Sequence, residues 1–487
     1  MAEQSLTNKT ISGLIWKFCE RFSSQIISFI VSVILARLLL PEDYGIVAIV
    51  TVFITLANAL ITNGLGTALI QKKDSDNDDF STMFWASLIM SVFLYFILFL
   101  TAPLVGKLYD NNYLTMIIRV MGLILPISSI KSIHQSYVSK KMIFKHSFLS
   151  TIFGTCISAA VGIWMAYSGY GVWALVAQYM ISVVIDTIVL SVIVSWKPKF
   201  VFSKEKFKSL YSYGWKVMLT TFIGTLFEQL RSLIIGYKYS SADLAYYNKG
   251  EHMACLAVDN VNVAIESVAF PALSKIQDDR TKLKEKMQDM IKLSNFLLMP
   301  ILLGLASIAK PLTILLFTEK WIFMVPFIQV ICVGKVFTVI NTINAQAIKA
   351  IGKSETLLKL EFVKKPIYIL FLVIGAIISP MGVALSYSIY NICAFVINCF
   401  PNKKYFNYTF IQQVIDVLPS LISSILMALA VVLIGIFPVG NILIQLLIEV
   451  SIGVCIYGIL TLVMQRKQLA QVIVLSKKFL SRNSNKN

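Results

Sequence analysis

The sequence has few charged residues and few histidines for its length. Of the 487 residues, 14% are Asp, Glu, Lys or Arg, and three are histidine. A soluble domain usually carries about 25% charged residues. This shortage of charge, together with 57% hydrophobic residues and a mean hydropathy of +0.77, excludes a chain built mainly of soluble domains. Its length is better counted in membrane spans of about 20 apolar residues.

Several kinds of site also lack the residues that they need. The seven cysteines form no CxxC pair and mostly lie in apolar runs, which favours buried apolar side chains over a disulfide or metal role. The triplet 352–354 (GKS) is similar to the end of a P-loop motif, but Ala347 stands where that motif needs its first glycine. The acidic stretch 74–79 lacks the glycine and glutamate of a calcium loop, so we expect it to be solvated. The sequence predicts no metal site, no resident cofactor and no catalytic residue.

Apolar runs of membrane length recur along the chain and predict an all-α polytopic membrane protein. The start of the chain lacks the features of a cleaved signal peptide, so we expect the first run to stay as a helix. The predicted fourteen transmembrane helices lie near 10–36, 44–69, 81–102, 113–130, 148–167, 172–195, 210–236, 250–272, 288–308, 322–346, 357–378, 381–400, 414–437 and 441–464.

Basic residues cluster in alternate loops between these runs. If the N-terminus is cytoplasmic, the inside loops and the tail hold 31 of the 43 Lys and Arg residues, and the outside loops hold six. Cytoplasmic loops of membrane proteins carry such an excess. The pattern predicts that both termini are cytoplasmic. The same pattern explains the net charge of +18 as a feature of membrane topology. We therefore expect no nucleic-acid partner.

The sequence after the sixth predicted helix resembles the start of the chain. Trp16-Lys17 precedes Glu42-Asp43-Tyr44 by 26 residues, and Trp215-Lys216 precedes Ala242-Asp243 by 27. With six helices in each half, the two copies have the same orientation in the membrane, which is a parallel repeat. We predict two pseudo-symmetric six-helix lobes with a cleft between them at 1–200 and 201–405, two extra helices at 406–465, and a basic cytoplasmic tail at 466–487.

Charges within the predicted spans are the candidate functional residues. Each costs roughly 2.5 to 3.5 kcal/mol at the bilayer centre and usually faces a protein interior or a wet cavity. The bases are candidates for binding an anionic substrate: Lys17, Arg21, Arg119, Lys216, Arg231 and Lys335. The acids are candidates for binding a proton or Na⁺: Asp186, Glu228, Asp259, Glu266 and Glu361. Internal ion pairs that orient helices, or side chains that reach the interface, are the alternative, above all for Lys17, Lys216 and Glu449.

Arg21 is the favoured substrate-binding residue. It lies near the middle of its span, and a guanidinium is well suited to hold a pair of phosphate oxygens. Cations stand on the first helix of each half, which suggests that they converge on the cleft.

Four segments carry a resemblance to a known family: ILARLLLPEDYGIVAIV at 34–50, GLGTALIQKK at 64–73, LIIGYKYSSADLAYYNKGE at 233–251 and FPALSKIQDD at 270–279. Over about 10–465 the chain resembles bacterial polysaccharide exporters of the multidrug/oligosaccharidyl-lipid/polysaccharide (MOP) flippase superfamily, in the Wzx-like group of colanic acid and teichuronic acid exporters. Arg231 stands five residues before Gly236, at a position where the family that the chain resembles has an acidic or amide residue. The chain departs from the family there. This departure puts an ion site on helix 7 in doubt and favours a second phosphate-binding arginine.

The resemblance implies movement of an undecaprenyl-pyrophosphate-linked oligosaccharide from the inner to the outer leaflet of the bacterial cytoplasmic membrane. It also implies alternating access coupled to H⁺ or Na⁺, and partners such as a polysaccharide polymerase and assembly proteins. An ion-coupled multidrug exporter of the same fold is the first alternative, which the surplus of cations in the spans disfavours. A membrane polysaccharide polymerase or glycosyltransferase is the second, which the short outer loops (YSGYG, SPMG and FPVG) disfavour.

Overall fold

The structure is a computed structural model that describes residues 2–62, 64–437 and 440–474. Within these ranges every regular element is a helix, which confirms the all-α fold class. The part of the predicted basic tail at 475–487 lies outside the described residues. In chain order the helices are α1 (Ala2–Leu38), α2 (Pro41–Thr62), α3 (Leu65–Gln71), α4 (Asn77–Leu108), α5 (Asn112–Met121), α6 (Ile124–Lys141), α7 (Phe144–Tyr167), α8 (Val172–Ile193), α9 (Lys204–Lys238), α10 (Ser241–Ser274), α11 (Arg280–Ser307), α12 (Ala309–Phe317), α13 (Val325–Lys335), α14 (Thr338–Ala350), α15 (Ser354–Ile378), α16 (Pro380–Phe406), α17 (Phe410–Gly435) and α18 (Ile442–Met464), with a 3₁₀ helix at Glu319–Met324.

Twelve candidate membrane spans occur among the described residues. Some of them join consecutive elements: α2 with α3, α5 with α6, and the 3₁₀ helix with α13 and α14. The predicted seventh and eleventh spans are present as the helices α9 and α15, but both are too polar or too charged to count among the twelve. The chain is therefore a multi-pass membrane protein, as predicted, and the count of fourteen spans stays a prediction.

Contacts between helices divide the chain into two compact units, Met1–Ala245 and Tyr246–Asn487. In the first unit α7 packs against α1 and α8, α6 packs against α4 and α8, and α9 packs against α2 and α3. In the second unit α16 packs against α13 and α15, and α11 packs against α14 and α17. The predicted lobe boundary at 200–201 was drawn from the internal sequence repeat, whereas these units are defined by contacts between helices. The lobe boundary stays a prediction.

Each unit contains one span that is broken near its middle and continues as a polar helix. In the first unit the break at Gly122 and Leu123 separates α5 from α6. Pro126 accounts for it, because a proline ring clashes with the carbonyl four residues earlier, here that of Gly122. In the second unit the break between α13 and α14 falls at 336–337. Both second halves, α6 and α14, are rich in Ser, Thr, Asn or Gln. The internal repeat itself stays a prediction.

The segment between α8 and α9 is folded against the start of α4. Trp85 Nε1 donates to the Lys199 carbonyl at 2.8 Å, and the Lys199 N–H donates to Ser81 Oγ at 3.1 Å. The Trp196 ring lies 5.7 Å from the Phe80 ring, between centroids. The interior of this region is thus formed by the link between the predicted lobes as well as by the helices.

The acidic stretch before α4 differs from the expectation that it is solvated. Asp79 is fully buried, and its carboxylate accepts from Lys72 Nζ at 2.7 and 2.8 Å. Asp76 and Asp79 also form a reciprocal capping box at the start of α4. The expectation was wrong for Asp79, because capping and an ion pair bring this carboxylate into the protein interior.

Candidate functional site

A polar cavity of about 390 Å³ lies in the first unit between α2, α3 and α6. Its volume falls in the range of small-molecule sites, which are usually more apolar than this one. Nine of the eleven lining residues have a polar side chain, and one of these nine, Lys131, is charged. The lining residues are Asn58, Thr62, Gly66, Thr67, Ile70, Ser128, Lys131, Ser132, Gln135, Ser136 and Ser139.

One face of α6 supplies six of these residues. They recur at intervals of three and four along the helix, which places their side chains on one side of it. A helix with this polar stripe is costly in lipid, because hydroxyl and amide groups need partners there. The stripe therefore faces the cavity and neighbouring helices, and it presents a row of hydroxyls with one ammonium group among them.

The opposite wall is shaped by the break between α2 and α3. Thr62 is the last residue of α2, and the last carbonyls of a helix lack partners within it. Ser132 Oγ donates to the Thr62 carbonyl at 3.1 Å. Across the same contact, a Cβ atom at Gly66 would overlap Ser136 Oγ. Glycine is thus needed where α3 approaches α6.

Lys131 connects the cavity to a buried acid. Its Nζ forms an ion pair with Asp186 Oδ2 on α8, and the Lys131 side chain is 33% exposed while that of Asp186 is 9% exposed. The other carboxylate oxygen, Oδ1, is buried and has no hydrogen-bond partner among the described residues. This pair joins α6 to α8 and leaves Lys131 facing the cavity on one side.

A second polar group fixes α6 to α1 and α7. Lys17 Nζ lies 2.9 Å from Glu20 Oε2, and Ser147 Oγ lies 2.9 Å from Glu20 Oε1. Ser147 Oγ is also 3.1 Å from Oε1 of Gln135, a cavity residue. Lys17 is thus paired and stands two contacts away from the cavity wall.

The other predicted bases of the first unit are dispersed. Arg21 on α1 and Lys216 on α9 are exposed. Arg119 on α5 lies over the Phe99 ring, with Cζ 4.4 Å from the ring centroid. Arg231 on α9 is buried, with 8% exposure. The structure therefore brings Lys17 near the cavity, and none of these four is among the lining residues.

The predicted acids also fall into different surroundings. Asp186 lies behind the cavity wall, whereas Glu228 on α9 is exposed. In the second unit, Asp259 and Glu266 are exposed on α10. Glu361 forms an ion pair with Lys364 at 2.5 Å, within the same helix. This pairing fits the alternative reading, in which such charges have a structural role.

Lys335, the predicted base of the second unit, is buried at the end of α13. Its Nζ lies 5.8 Å from the centre of the Tyr387 ring, and Cys255 and Glu251 on α10 are close by. This cation thus sits among α10, α13 and α16. No group of three His, Cys, Asp or Glu that could hold a metal occurs among the residues that the structure describes.

Lys131 and the other lining residues of the cavity were not among the site residues predicted from the sequence. The predicted fourth helix ended at residue 130, so Lys131 was counted with the inside loops, whereas α6 continues to Lys141. The signal that could have found it is the spacing of polar residues over 128–139 at the helical period. Serine-rich sequence is also typical of loops, which hides that period.

Comparison with known proteins places the sequence in a family. Residues 34–326 match the family described as "Polysaccharide biosynthesis protein". The chain is 22% identical to the teichuronic acid biosynthesis protein TuaB of Bacillus subtilis, over 72% of this chain and 73% of TuaB. It is 23% identical to the lipopolysaccharide biosynthesis protein WzxC of Escherichia coli, over 81% of each chain.

The fold is similar to that of a solved flippase. The structure of lipid II flippase MurJ in an inward closed conformation superposes with a TM-score of 0.76 at 17% sequence identity, and the match covers 94% of this chain and all of MurJ. This likeness confirms the predicted all-helical membrane fold. The family match covers more than half of the sequence, and the protein therefore belongs to the polysaccharide biosynthesis protein family of membrane proteins.

Proposed function

We propose that this protein is a flippase that moves an undecaprenyl-pyrophosphate-linked oligosaccharide across the bacterial cytoplasmic membrane by alternating access. The observation that carries the proposal is the hydroxyl-lined cavity with Lys131 inside a unit made of membrane-spanning helices. Polar and ionisable side chains that line a cavity within membrane-spanning helices usually mark a substrate path. The names of the relatives TuaB and WzxC and of the structural neighbour MurJ support the same substrate class.

The chemistry of the cavity suits the two polar parts of this substrate. Serine and threonine hydroxyls and the carboxamides of Asn58 and Gln135 can both donate to and accept from sugar hydroxyls. The Lys131 ammonium can bind a phosphate oxygen as a point charge. The polyprenyl tail needs no polar partner and can stay in lipid.

The location and orientation follow from charge. The excess of Lys and Arg in alternate loops supports cytoplasmic N- and C-termini in the bacterial inner membrane. A flippase of this kind acts between the enzymes that build a lipid-linked glycan and those that polymerise it. A polysaccharide polymerase and assembly proteins are therefore the proposed protein partners.

Coupling to H⁺ or Na⁺ is part of the proposal. Asp259 and Glu266 are seven residues apart on α10, so they share one side of the helix, and both are exposed. Between them, Asn262 accepts a hydrogen bond at 3.2 Å from Thr342 on α14. Carboxylates within a membrane-spanning helix are candidates for binding a small cation.

An ion-coupled multidrug exporter is the second candidate of the same fold. Cationic drugs are best bound by acids and aromatic rings, whereas the cavity wall holds a lysine and no acidic or aromatic residue. A membrane polymerase or glycosyltransferase is a candidate of another class. The observed cavity chemistry favours the flippase over both.

Reconstitution tests the proposed function. The purified protein is placed in liposomes with a fluorescent polyprenyl-pyrophosphate-linked oligosaccharide, and a membrane-impermeant quencher reports the label in the outer leaflet. We expect the label to exchange between leaflets faster than in empty liposomes, with a rate that depends on an H⁺ or Na⁺ gradient. Exchange no faster than in empty liposomes would contradict the flippase, and lengthened glycans would indicate a polymerase.

A further inference from the structure

We propose that Lys131 and Asp186 form a proton-responsive switch, in which an anionic headgroup that binds Lys131 displaces Asp186, and Asp186 then takes up one proton. This inference rests on the proposed function, because it assigns a coupling mechanism to the same cavity. It concerns phosphate-bearing ligands as a class.

Lys131 is placed between two anion positions. On one side its Nζ contacts Asp186 Oδ2, and on the other its side chain lines the polar cavity and is 33% exposed. A phosphate group entering the cavity meets this ammonium as the one charged side chain of the lining. A pyrophosphate carries more negative charge than a carboxylate and offers more acceptor oxygens, so it competes strongly for the ammonium.

Asp186 has few ways to remain ionised once Lys131 is withdrawn. Its side chain is 9% exposed, and its Oδ1 atom already lacks a hydrogen-bond partner among the described residues. The adjacent position on α7 is Gly154, where even a Cβ atom would lie 3.0 Å from Asp186 Cβ. A buried carboxylate without a counter-charge binds a proton instead of staying charged.

Among the described residues, Lys131 is the cation that contacts Asp186. The helices packed against α8 are α2, α5, α6 and α7. Arg119 on α5 lies over Phe99, and Lys140 on α6 donates to the Leu69 carbonyl at 3.0 Å. The titratable residues on these helices and on α8 itself are Glu42, Asp43, Tyr44, Tyr113, Arg119, Lys131, His134, Tyr137, Lys140, Lys141, Lys145, His146, Cys156, Tyr167 and Tyr179. Of these, Lys131 forms the ion pair with Asp186.

The second unit contains a neutral counterpart of this pair. There the broken span continues as α14, which packs against α16 as α6 packs against α8. One polar bridge between α14 and α16 consists of two carboxamides, with Asn398 Nδ2 donating to Asn341 Oδ1 at 3.0 Å. An amide pair bridges two helices without a titratable group. A charged pair in the first unit is therefore more than helix packing requires.

The exchange is balanced in charge and protons. In the unloaded state the carboxylate neutralises the ammonium. In the loaded state the headgroup holds the ammonium, and one proton from water occupies the carboxyl group, while no bond in the ligand changes. By thermodynamic reciprocity, a ligand that promotes proton binding is itself bound more tightly as the pH falls. Loss of the proton returns Asp186 to Lys131 and releases the headgroup.

Calorimetric titration of the full-length protein in detergent tests this mechanism. The probe is geranylgeranyl pyrophosphate, and titrations in buffers of different ionisation enthalpy give the number of protons taken up per probe bound. Measurement at pH 8 keeps the probe largely ionised, since phosphate groups titrate near pH 6. We expect proton uptake approaching one per probe in the wild type, uptake close to zero in Asp186→Asn, and at least tenfold weaker binding in Lys131→Gln.

Two control variants keep the test decisive. Lys131→Gln/Asp186→Asn replaces the ion pair by an amide pair like that of the second unit, so it should fold, bind the probe weakly and take up no proton. Asn398→Ala removes the counterpart bridge and should keep wild-type proton uptake. Equal uptake in wild type and Asp186→Asn, or equal binding in wild type and Lys131→Gln, would overturn the switch. Leaflet exchange of the labelled glycan by the wild type would meanwhile leave the flippase itself intact.

Discussion

The Lys206 ammonium lies 2.6 Å from the Asp76 carboxylate, so that the start of α9 is fastened to the start of α4. Hydrogen bonding from Lys206, and then from the Asp79 backbone N–H, lowers the pKa of Asp76 from 3.8 to about 2. Because the pKa of the folded protein is the lower one, the pair stabilises the fold above about pH 4, and this contribution is lost as the pH falls from about 4 to about 2.

Replacing Asp76 by Asn should therefore lower the melting temperature slightly at pH 7 and leave it nearly unchanged at pH 2. The effect is small because both side chains reach solvent. Thermal unfolding of the detergent-solubilised protein across this pH range checks the prediction. A deficit of the variant that persists at pH 2 would show that the cap, rather than the charge of Asp76, is what matters.

The close approach of α3 to α6 makes Gly66 intolerant of a side chain. We expect Gly66→Val to destabilise the protein by about 1 to 3 kcal/mol, the usual range for overpacking. Denaturation in detergent measures the change. Gly224→Ala on α9 is the matched control, since a Cβ atom there meets nothing within 4 Å, and it should be neutral or stabilising. Combining Gly66→Ala with Ser136→Ala should recover part of the loss caused by Gly66→Ala alone.

Glu20 accepts from three side chains, and Lys17 is one of them. Removing the acceptor in Glu20→Ala leaves the Ser147 and Thr151 hydroxyls without it, which should cost about 1 to 3 kcal/mol. Lys17→Ala should cost less, because the Lys17 side chain is 41% exposed. A double-mutant cycle measures the coupling, and additive losses would show that the pair contributes nothing of its own.

Arg21 is exposed on α1, one helical turn from Lys17, and its phosphate-binding role stays a prediction from the sequence. We expect Arg21→Gln to slow glycan translocation at least tenfold while the protein stays abundant in the membrane. Lys216→Gln, at the position of the repeat that corresponds to Lys17, is the comparison and should have a smaller effect, because a lysine offers one point of contact where a guanidinium offers two. Normal translocation by Arg21→Gln would assign Arg21 to helix packing or to the interface.

The positions of the helices could be predicted because an apolar run of membrane length has few other outcomes. The breaks within spans were harder to predict from the sequence. Pro126 lies close to the break between α5 and α6, but the second helix of the span interrupted at 336–337 contains no proline. Local sequence does not show which neighbour will satisfy a freed carbonyl, as Ser132 does for Thr62.

Charged residues were identified more easily than they were placed. Asp186 was expected to be an acid without an adjacent base, because Lys131 is 55 residues away in sequence. Asp79 was expected in solvent because the residues around it are acidic, and its partner Lys72 lies on the far side of a turn. In both cases the sequence gives the charge of each residue, and only the packing of helices gives the pair.

The hydrogen bond from Ser132 to the Thr62 carbonyl has a mechanical consequence. It ties the interrupted end of α2 to the middle of α6, and breaking it would leave a carbonyl unsatisfied at membrane depth, which is expensive. This bond therefore connects the two walls of the cavity in the absence of a ligand. A sugar that enters meets a preorganised surface, and little of its binding free energy is lost in ordering the protein around it.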